Sequence, residues 1–219
     1  MAELYSKIRH GNFAPCDYKT DFMKKILWFA LVLPLAIVAC TNTAKDSVEK
    51  ADSANEAKSD SMDKNSDTAQ HRGMLGVSEA TSKFMVDVAD VNMAEIQLGQ
   101  LARDKASNQR VKDFAAMMMS DHSTASDDLK KLAAQKNVTL PTNVSEDHQR
   151  KMDDLKKKTG RDFDRAYMDM MEDGHEAAIR DFERNTSNGD GDVRDFVAKM
   201  LPTLRMHLDS ADAIKKMLR

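Results

Sequence analysis

Between Ser78 and Arg219 apolar residues recur at three- and four-residue steps, the period of a helix that buries one face. The first stripe reads Phe84, Val88, Val91, Glu95, Leu98, Ala102. It predicts a helix from about Ser78, an N-cap with Glu79 in the first turn, to near Ala106. The second begins near Asn108 and reads Val111, Ala115, Met118, His122, Ala125, Leu129, Leu132. The link Ser107-Asn108 is so short that these two helices should fold back as an antiparallel hairpin. Val138-Thr-Leu-Pro141 interrupts the pattern, and Ser145 to Thr159 reads as a shorter, mostly polar helix ended by Gly160. The third long helix runs from about Arg161 to Thr186, with Phe163, Tyr167, Met171, His175, Ala178 and Phe182 along one side. Asn188-Gly-Asp-Gly191 is a strong turn signal. The last helix spans about Asp192 to Leu218 and carries Val193, Val197, Met200, Leu204, His207, Ala211 and Ile214. Pro202 lies inside it and should kink it by removing one backbone donor.

Two long hairpins joined by a longer crossover predict an all-α fold over residues 78–219. The architecture expected is a ferritin-like antiparallel four-helix bundle with a short extra helix in the crossover. Scarce glycine and proline and only 5% aromatic residues agree with it. The segments Val111-Lys-Asp-Phe-Ala-Ala-Met-Met118 and Val193-Arg-Asp-Phe-Val-Ala-Lys-Met200 are alike, and each opens the second helix of its hairpin. A duplicated hairpin follows as an expectation.

The N-terminal part has a different character. Met23-Lys-Lys is followed by an apolar run that closes on Ile37-Val38-Ala39-Cys40, the layout of a secretory signal over residues 23–39. The apolar run is about 14 residues, shorter than the roughly 20 that span a bilayer. Cysteine directly after Val-Ala resembles the bacterial lipobox, in which that cysteine is lipidated and becomes the new N-terminus. An ordinary signal peptide or an uncleaved anchor is the alternative. Secretory signals begin the chain, so residues 1–22 read as an extension from an upstream start, and Cys16 falls with them. The mature chain then has no cysteine besides Cys40, which leaves no disulfide, thiolate zinc site or thiol nucleophile. Residues 40–77 hold the lipidated Cys40 and a stretch rich in Ser, Asp, Asn, Ala and Lys, expected to be a disordered linker. The expected location is the bacterial cell envelope, with the lipid in the outer membrane and the domain facing the periplasm. The membrane is then a partner through the lipid, and a second copy of the chain is a further candidate. A net charge of −3 carries no basic footprint for nucleic acid.

Each long helix places one residue of metal-ligand type in its apolar stripe: Glu95, His122, His175 and His207. At about 1.5 Å of rise per residue, the two in each hairpin fall at one level to within about a turn. All four converge at mid-bundle. Three imidazoles and a carboxylate suit zinc, iron or copper. Glu172, three residues before His175, shares its helix face and is an auxiliary candidate. Di-iron bundles carry such a glutamate on two helices, and here Met119 and Leu204 stand three residues before His122 and His207. Oxygen-activating di-iron chemistry is therefore disfavoured. Glu95 paired with a buried histidine, without metal, would also satisfy both groups. The methionines, 16 in all, invite a copper(I) reading through Met118 and Met171, but methionine is also a common core filler. Asp121 and Asp173 could orient an imidazole from behind or simply face solvent. No nucleophile elbow, phosphate-cradling glycine loop or zinc-protease motif is present, and Asn188-Gly-Asp-Gly-Asp192 lacks the spacing of a calcium loop.

Val111-Lys-Asp-Phe-Ala, Met119-Ser-Asp121-His122, Leu140-Pro141, Phe163-Asp-Arg-Ala-Tyr167, His175 and Leu201-Pro202-Thr203 with His207 together resemble a ferritin-like family of exported bacterial proteins. That family is a domain of unknown function whose members are often labelled outer membrane proteins. The resemblance extends over about residues 80–217. It implies the bundle and an envelope location, and it implies no reaction. Three roles are thereby framed: a metal-binding or metal-buffering lipoprotein, a metal-free structural or interaction lipoprotein with a polar core, and an oxidase-type enzyme.

Overall fold

Side-chain caps decide where the helices begin. A computed structural model of the chain describes residues 46–65, 77–188 and 190–219. The extension at 1–22, the signal at 23–39 and Cys40 lie outside the described residues. Six helices and no strand occur among the described residues: α1 (Ser47–Asn65), α2 (Glu79–Lys105), α3 (Gln109–Gln135), α4 (Glu146–Lys156), α5 (Gly160–Asn188) and α6 (Gly191–Met217). Ser78 Oγ accepts the Thr81 N–H at 3.1 Å, and Asn108 Oδ1 accepts that of Arg110 at 2.8 Å. Asp190 Oδ1 accepts the Asp192 N–H at 3.0 Å, while Lys136 of α3 pairs with both Asp190 and Asp192 at 2.8 and 2.5 Å. The short polar helix, α4, ends at Lys156, before the Thr159 expected. Gly160 starts α5 instead of ending α4, at a φ of +56° that favours glycine. α6 runs on through Pro202, whose missing N–H leaves the Ala198 carbonyl without its helical donor.

Most helix packing is within two hairpins, α2 with α3 and α5 with α6. α3 also packs on α6 and α2 on α5, so the four long helices form a ring in the order α2, α3, α6, α5. The core is cut in two. One apolar cluster gathers Leu98, Phe114, Met118, Leu155, Phe163, Tyr167 and Met171. The other gathers Phe84, Val88, Leu129, Phe182, Phe196 and Leu204. On every long helix the break between clusters falls at the same place, and there stand Glu95, His122, His175 and His207, all buried. The repeated segments sit at opposite ends of this core: Val111, Phe114 and Ala115 in the first cluster, Val193, Phe196 and Val197 in the second.

Two polar ties hold the chain ends of the bundle. Asp164 of α5, 1% exposed, accepts the backbone N–H groups of Ser107 and Asn108, each at 2.9 Å, and the Ser107 hydroxyl. The α2–α3 turn is thus clamped to the neighbouring hairpin. Arg161 and Arg165 both donate to the Leu218 carbonyl at the end of α6.

The stretch expected to be a disordered linker contains α1, which corrects that reading. Its docking uses small and polar groups instead of large apolar ones. Ala51 is buried, and Asn55 accepts from and donates to the Thr139 backbone at 2.7 and 2.9 Å. Lys58 donates to the Asn137 carbonyl, and Ser47 Oγ accepts the Thr142 and Asn143 N–H groups. Among the described residues no helix is long and apolar enough to cross a membrane.

α2 and α3 come close at Gly99, where a Cβ would fall 2.6 Å from Met119 Cγ and 3.1 Å from the Ala115 carbonyl oxygen. At Gly174 the nearest atom to such a Cβ is Glu95 Oε1 at 3.6 Å, an ordinary contact. Gly99→Ala should therefore destabilise by about 1 kcal/mol or more despite alanine's better helix propensity. Gly174→Ala should stabilise by about 1 kcal/mol. Urea unfolding of the two variants tests this, and equal gains in both would contradict the close approach at Gly99.

Candidate metal centre

Burial without neutralising partners is the problem the central layer has to solve. His122, His175 and His207 are 4%, 1% and 0% exposed, and Glu95 is 5% exposed. Their helices bring one ring nitrogen from each histidine to within 4.8 Å of the other two. The ring centroids lie 5.3 to 5.8 Å apart.

The outward partners of these rings fix where their protons sit. His207 Nε2 lies 2.9 Å from Asp121 Oδ2, an acceptor, so Nε2 carries the hydrogen and Nδ1 is bare. His175 Nδ1 donates to the Met171 carbonyl at 2.7 Å, leaving Nε2 bare. His122 Nδ1 donates to Asn92 Oδ1 at 2.8 Å, and His122 Nε2 has no hydrogen-bond partner. Three lone pairs therefore converge. Two of them, on His175 Nε2 and His207 Nδ1, face each other at 3.3 Å, and singly protonated rings have no proton left to share there. Ligands of a tetrahedral ion at about 2.0 Å stand about 3.3 Å apart, so this spacing already matches a shared cation. An imidazole whose outer N–H is tied to a carboxylate or carbonyl is the usual arrangement behind a metal ligand. The donor set fits a transition ion that takes nitrogen ligands.

Glu95 completes one side. Its carboxylate lies 3.5 Å from His122 Nε2 and 3.8 Å from His175 Nδ1, and Oε2 has no hydrogen-bond partner. Burial pushes this carboxyl up to about 8. Burial, and then the rings of His175 and His207, push His122 down to about 3. Burial likewise brings His175 down to about 4, with the Met171 carbonyl opposing and His207 adding to it. The Tyr167 hydroxyl, buried and without a partner, is pushed well above its ordinary value by burial and by Glu95. Without a cation, Glu95, His122 and His175 are therefore uncharged near pH 7.

Four of the expected site residues come together, and one does not. Glu172 is turned to Lys215 of α6, which also pairs with Asp169 at 2.7 Å. The Glu-x-x-His spacing puts Glu172 near the face of His175, but an ammonium group on the adjacent helix draws it to the surface. Of the two alternatives open for each, Asp121 stands behind His207 and Asp173 is exposed. Met118 and Met171 pack in the apolar cluster beside the layer. Asn92 was missed. Its position one turn before Glu95 on the same face was the available signal.

A cavity of about 300 Å³ runs between α2 and α5 down to Glu95, His122 and His175. Phe84, Val88, Val91, Ala178, Phe182 and Leu204 wall it, and Lys83, Asp87 and Asp181 stand at its outer end. On the α3–α6 side, beside Asp121 and His207, the space is about 20 Å³.

A family model described as Domain of unknown function (DUF4142) matches residues 64–214. No curated protein and no solved structure matches the chain.

The layer has a pH signature when metal is kept away. The unfolded chain gives Glu95 its ordinary 4.5, so folding takes up a proton and stability falls as pH rises from 4.5 to about 8. His122 and His175 act oppositely: their contribution is full above 6.5 and is lost as pH falls from there toward about 3 for His122 and about 4 for His175. In chelator, the melting temperature should peak near pH 6.5 and decline by a few degrees toward pH 8. Glu95→Gln, which keeps a donor for His122 Nε2, should flatten the alkaline decline and steepen the rise between pH 4.5 and 6.5. An unchanged alkaline limb would show that Glu95 does not fold in its neutral form.

Proposed function

The chain belongs to the DUF4142 family, and we propose that it is an exported, lipid-anchored protein whose ferritin-like four-helix bundle binds a transition metal, zinc, iron or copper, in its core. His122, His175 and His207 hold the ion, and Glu95 adds a negative charge beside it. The observation that carries this reading is the set of three bare, buried ring nitrogens, each held bare by a partner on its outer side. Two facing lone pairs in a low-dielectric core repel each other, and a bound cation turns that repulsion into attraction. The chain supplies one carboxylate, Glu95, to the inner side of this layer and draws Glu172 away to Lys215, which suits binding or buffering of an ion better than oxygen activation at a pair of irons. Lipid on Cys40 would tether the bundle to the outer membrane on its periplasmic side, where such a site would meet ions entering the envelope.

A second reading has its own support. Glu95 held neutral up to about pH 8 can donate its proton to His122 Nε2, which leaves a metal-free polar layer partly satisfied. A structural or interaction lipoprotein would need no more than that.

Elemental analysis separates the two. Protein purified without a metal-binding tag, then exposed in turn to zinc, ferrous iron and cuprous copper, should retain about one equivalent of one of them. His122→Ala/His207→Ala should lose it, and Glu172→Gln should keep it. Sub-stoichiometric metal under every condition would establish the metal-free reading.

A further inference from the structure

Three side chains at the inner end of one cavity each keep a polar atom without a hydrogen-bond partner: Asn92 Nδ2, Glu95 Oε2 and His122 Nε2. Each residue is at most 5% exposed, and all three line the cavity between α2 and α5. Glu95 Oε2 and His122 Nε2 stand 3.5 Å apart, longer than a hydroxyl donor and its acceptor prefer. The cavity holds about 300 Å³, at the small end of ligand pockets. Its walls are hydrocarbon: Phe84 and Phe182 meet edge to face at 5.2 Å, with Val88, Val91, Ala178 and Leu204 around them.

The atoms at the inner end differ in what they need. Asn92 spends its carbonyl oxygen on His122 Nδ1 at 2.8 Å, so its amide nitrogen is left to donate and needs an acceptor. His122 Nε2 is bare because Nδ1 carries the ring hydrogen, and it needs a donor. A carboxylate only accepts and an ammonium only donates, so either would leave one of these buried atoms unpaired. A hydroxyl does both. Charge agrees with a neutral head group. With a divalent ion in the layer, the carboxylates of Glu95 and Asp121 already balance it. At the mouth Asp52, Asp87 and Asp181 outnumber Lys83 and Arg184 by one, which disfavours an anion.

We infer that the cavity between α2 and α5 binds a small neutral alcohol, its hydroxyl donating to His122 Nε2 and accepting from Asn92 Nδ2, with its hydrocarbon body among Phe84, Val91, Ala178 and Phe182. The pairing needs no ion, so the inference goes beyond the metal-binding reading. When an ion takes His122 Nε2, the hydroxyl oxygen has a second lone pair with which to face it while still accepting from Asn92.

Calorimetric titration of the full chain in chelator tests this. The probes are 1-butanol, 1-pentanol and 1-hexanol, with three molecules of similar length to the last: hexanoate, hexylammonium and methyl pentyl ether. Affinity should rise about fourfold per methylene along the alcohols. The ether accepts but has no hydrogen to donate, and it and both ions should bind about tenfold or more weakly than 1-hexanol. Ala178→Leu on α5 and Val91→Phe on α2 should each abolish the gain from 1-butanol to 1-hexanol, and two walls guard against one variant failing to fold. The inference is overturned if no alcohol binds saturably, if 1-hexanol and its ether bind equally, or if both wall variants keep the gain with chain length. None of these results bears on the metal reading, which elemental analysis decides.

Discussion

Four polar groups in the middle of a hydrocarbon core are the constraint on which the rest of this fold depends. Glu95, His122, His175 and His207 are each 5% exposed or less, so none can rely on water. Each imidazole spends its single N–H on an outward partner, and the inner side is left with lone pairs. Asn92, the Met171 carbonyl and Asp121 are therefore as much part of the layer as the rings they hold. The two apolar clusters above and below keep solvent away from it, and Asp164 and the Arg161–Arg165 pair lock the hairpins so that the rings meet at one level.

Much of this was legible in the residues. Helical period, the N-cap at Ser78 and the short Ser107-Asn108 link gave the hairpins, because each depends on local geometry alone. Levels counted from the turns brought Glu95, His122, His175 and His207 together, because rise per residue is nearly constant. What failed depended on distant partners. Glu172 has the right spacing but meets Lys215, which lies far along the chain. α1 lacks the large apolar residues that announce a buried helix, since Asn55 and Ser47 dock it by hydrogen bonds to the crossover. Asn92 looked like an ordinary polar residue until His122 appeared beside it.

The similar segments that open α3 and α6 bear on the asymmetry of the layer. Val111, Phe114 and Ala115 repeat as Val193, Phe196 and Val197 at the other end of the core. In the register of that repeat, the counterpart of His122 is Leu204, and His207 comes one turn later. Leu204 faces the cavity that Phe84 and Phe182 also wall. His207 thus stands one turn off the register of the repeat, in a layer with a cavity of about 300 Å³ on the α2–α5 side and one of about 20 Å³ on the α3–α6 side.

The docking of α1 has a mechanical consequence. Tension applied at the N-terminal end of the chain arrives first at Asp46 and Ser47, which are bonded to Glu146, Thr142 and Asn143. Further along, Asn55 and Lys58 hand it to Asn137 and Thr139. Part of the force is thereby diverted into the crossover that joins the two hairpins, and the rest passes through the packing of α1 on α2 and the Asp52–Lys83 pair to the start of α2, where Phe84 and Val88 shape the cavity. A protein pulled from that end would feel the load at the cavity wall while α1 was still docked.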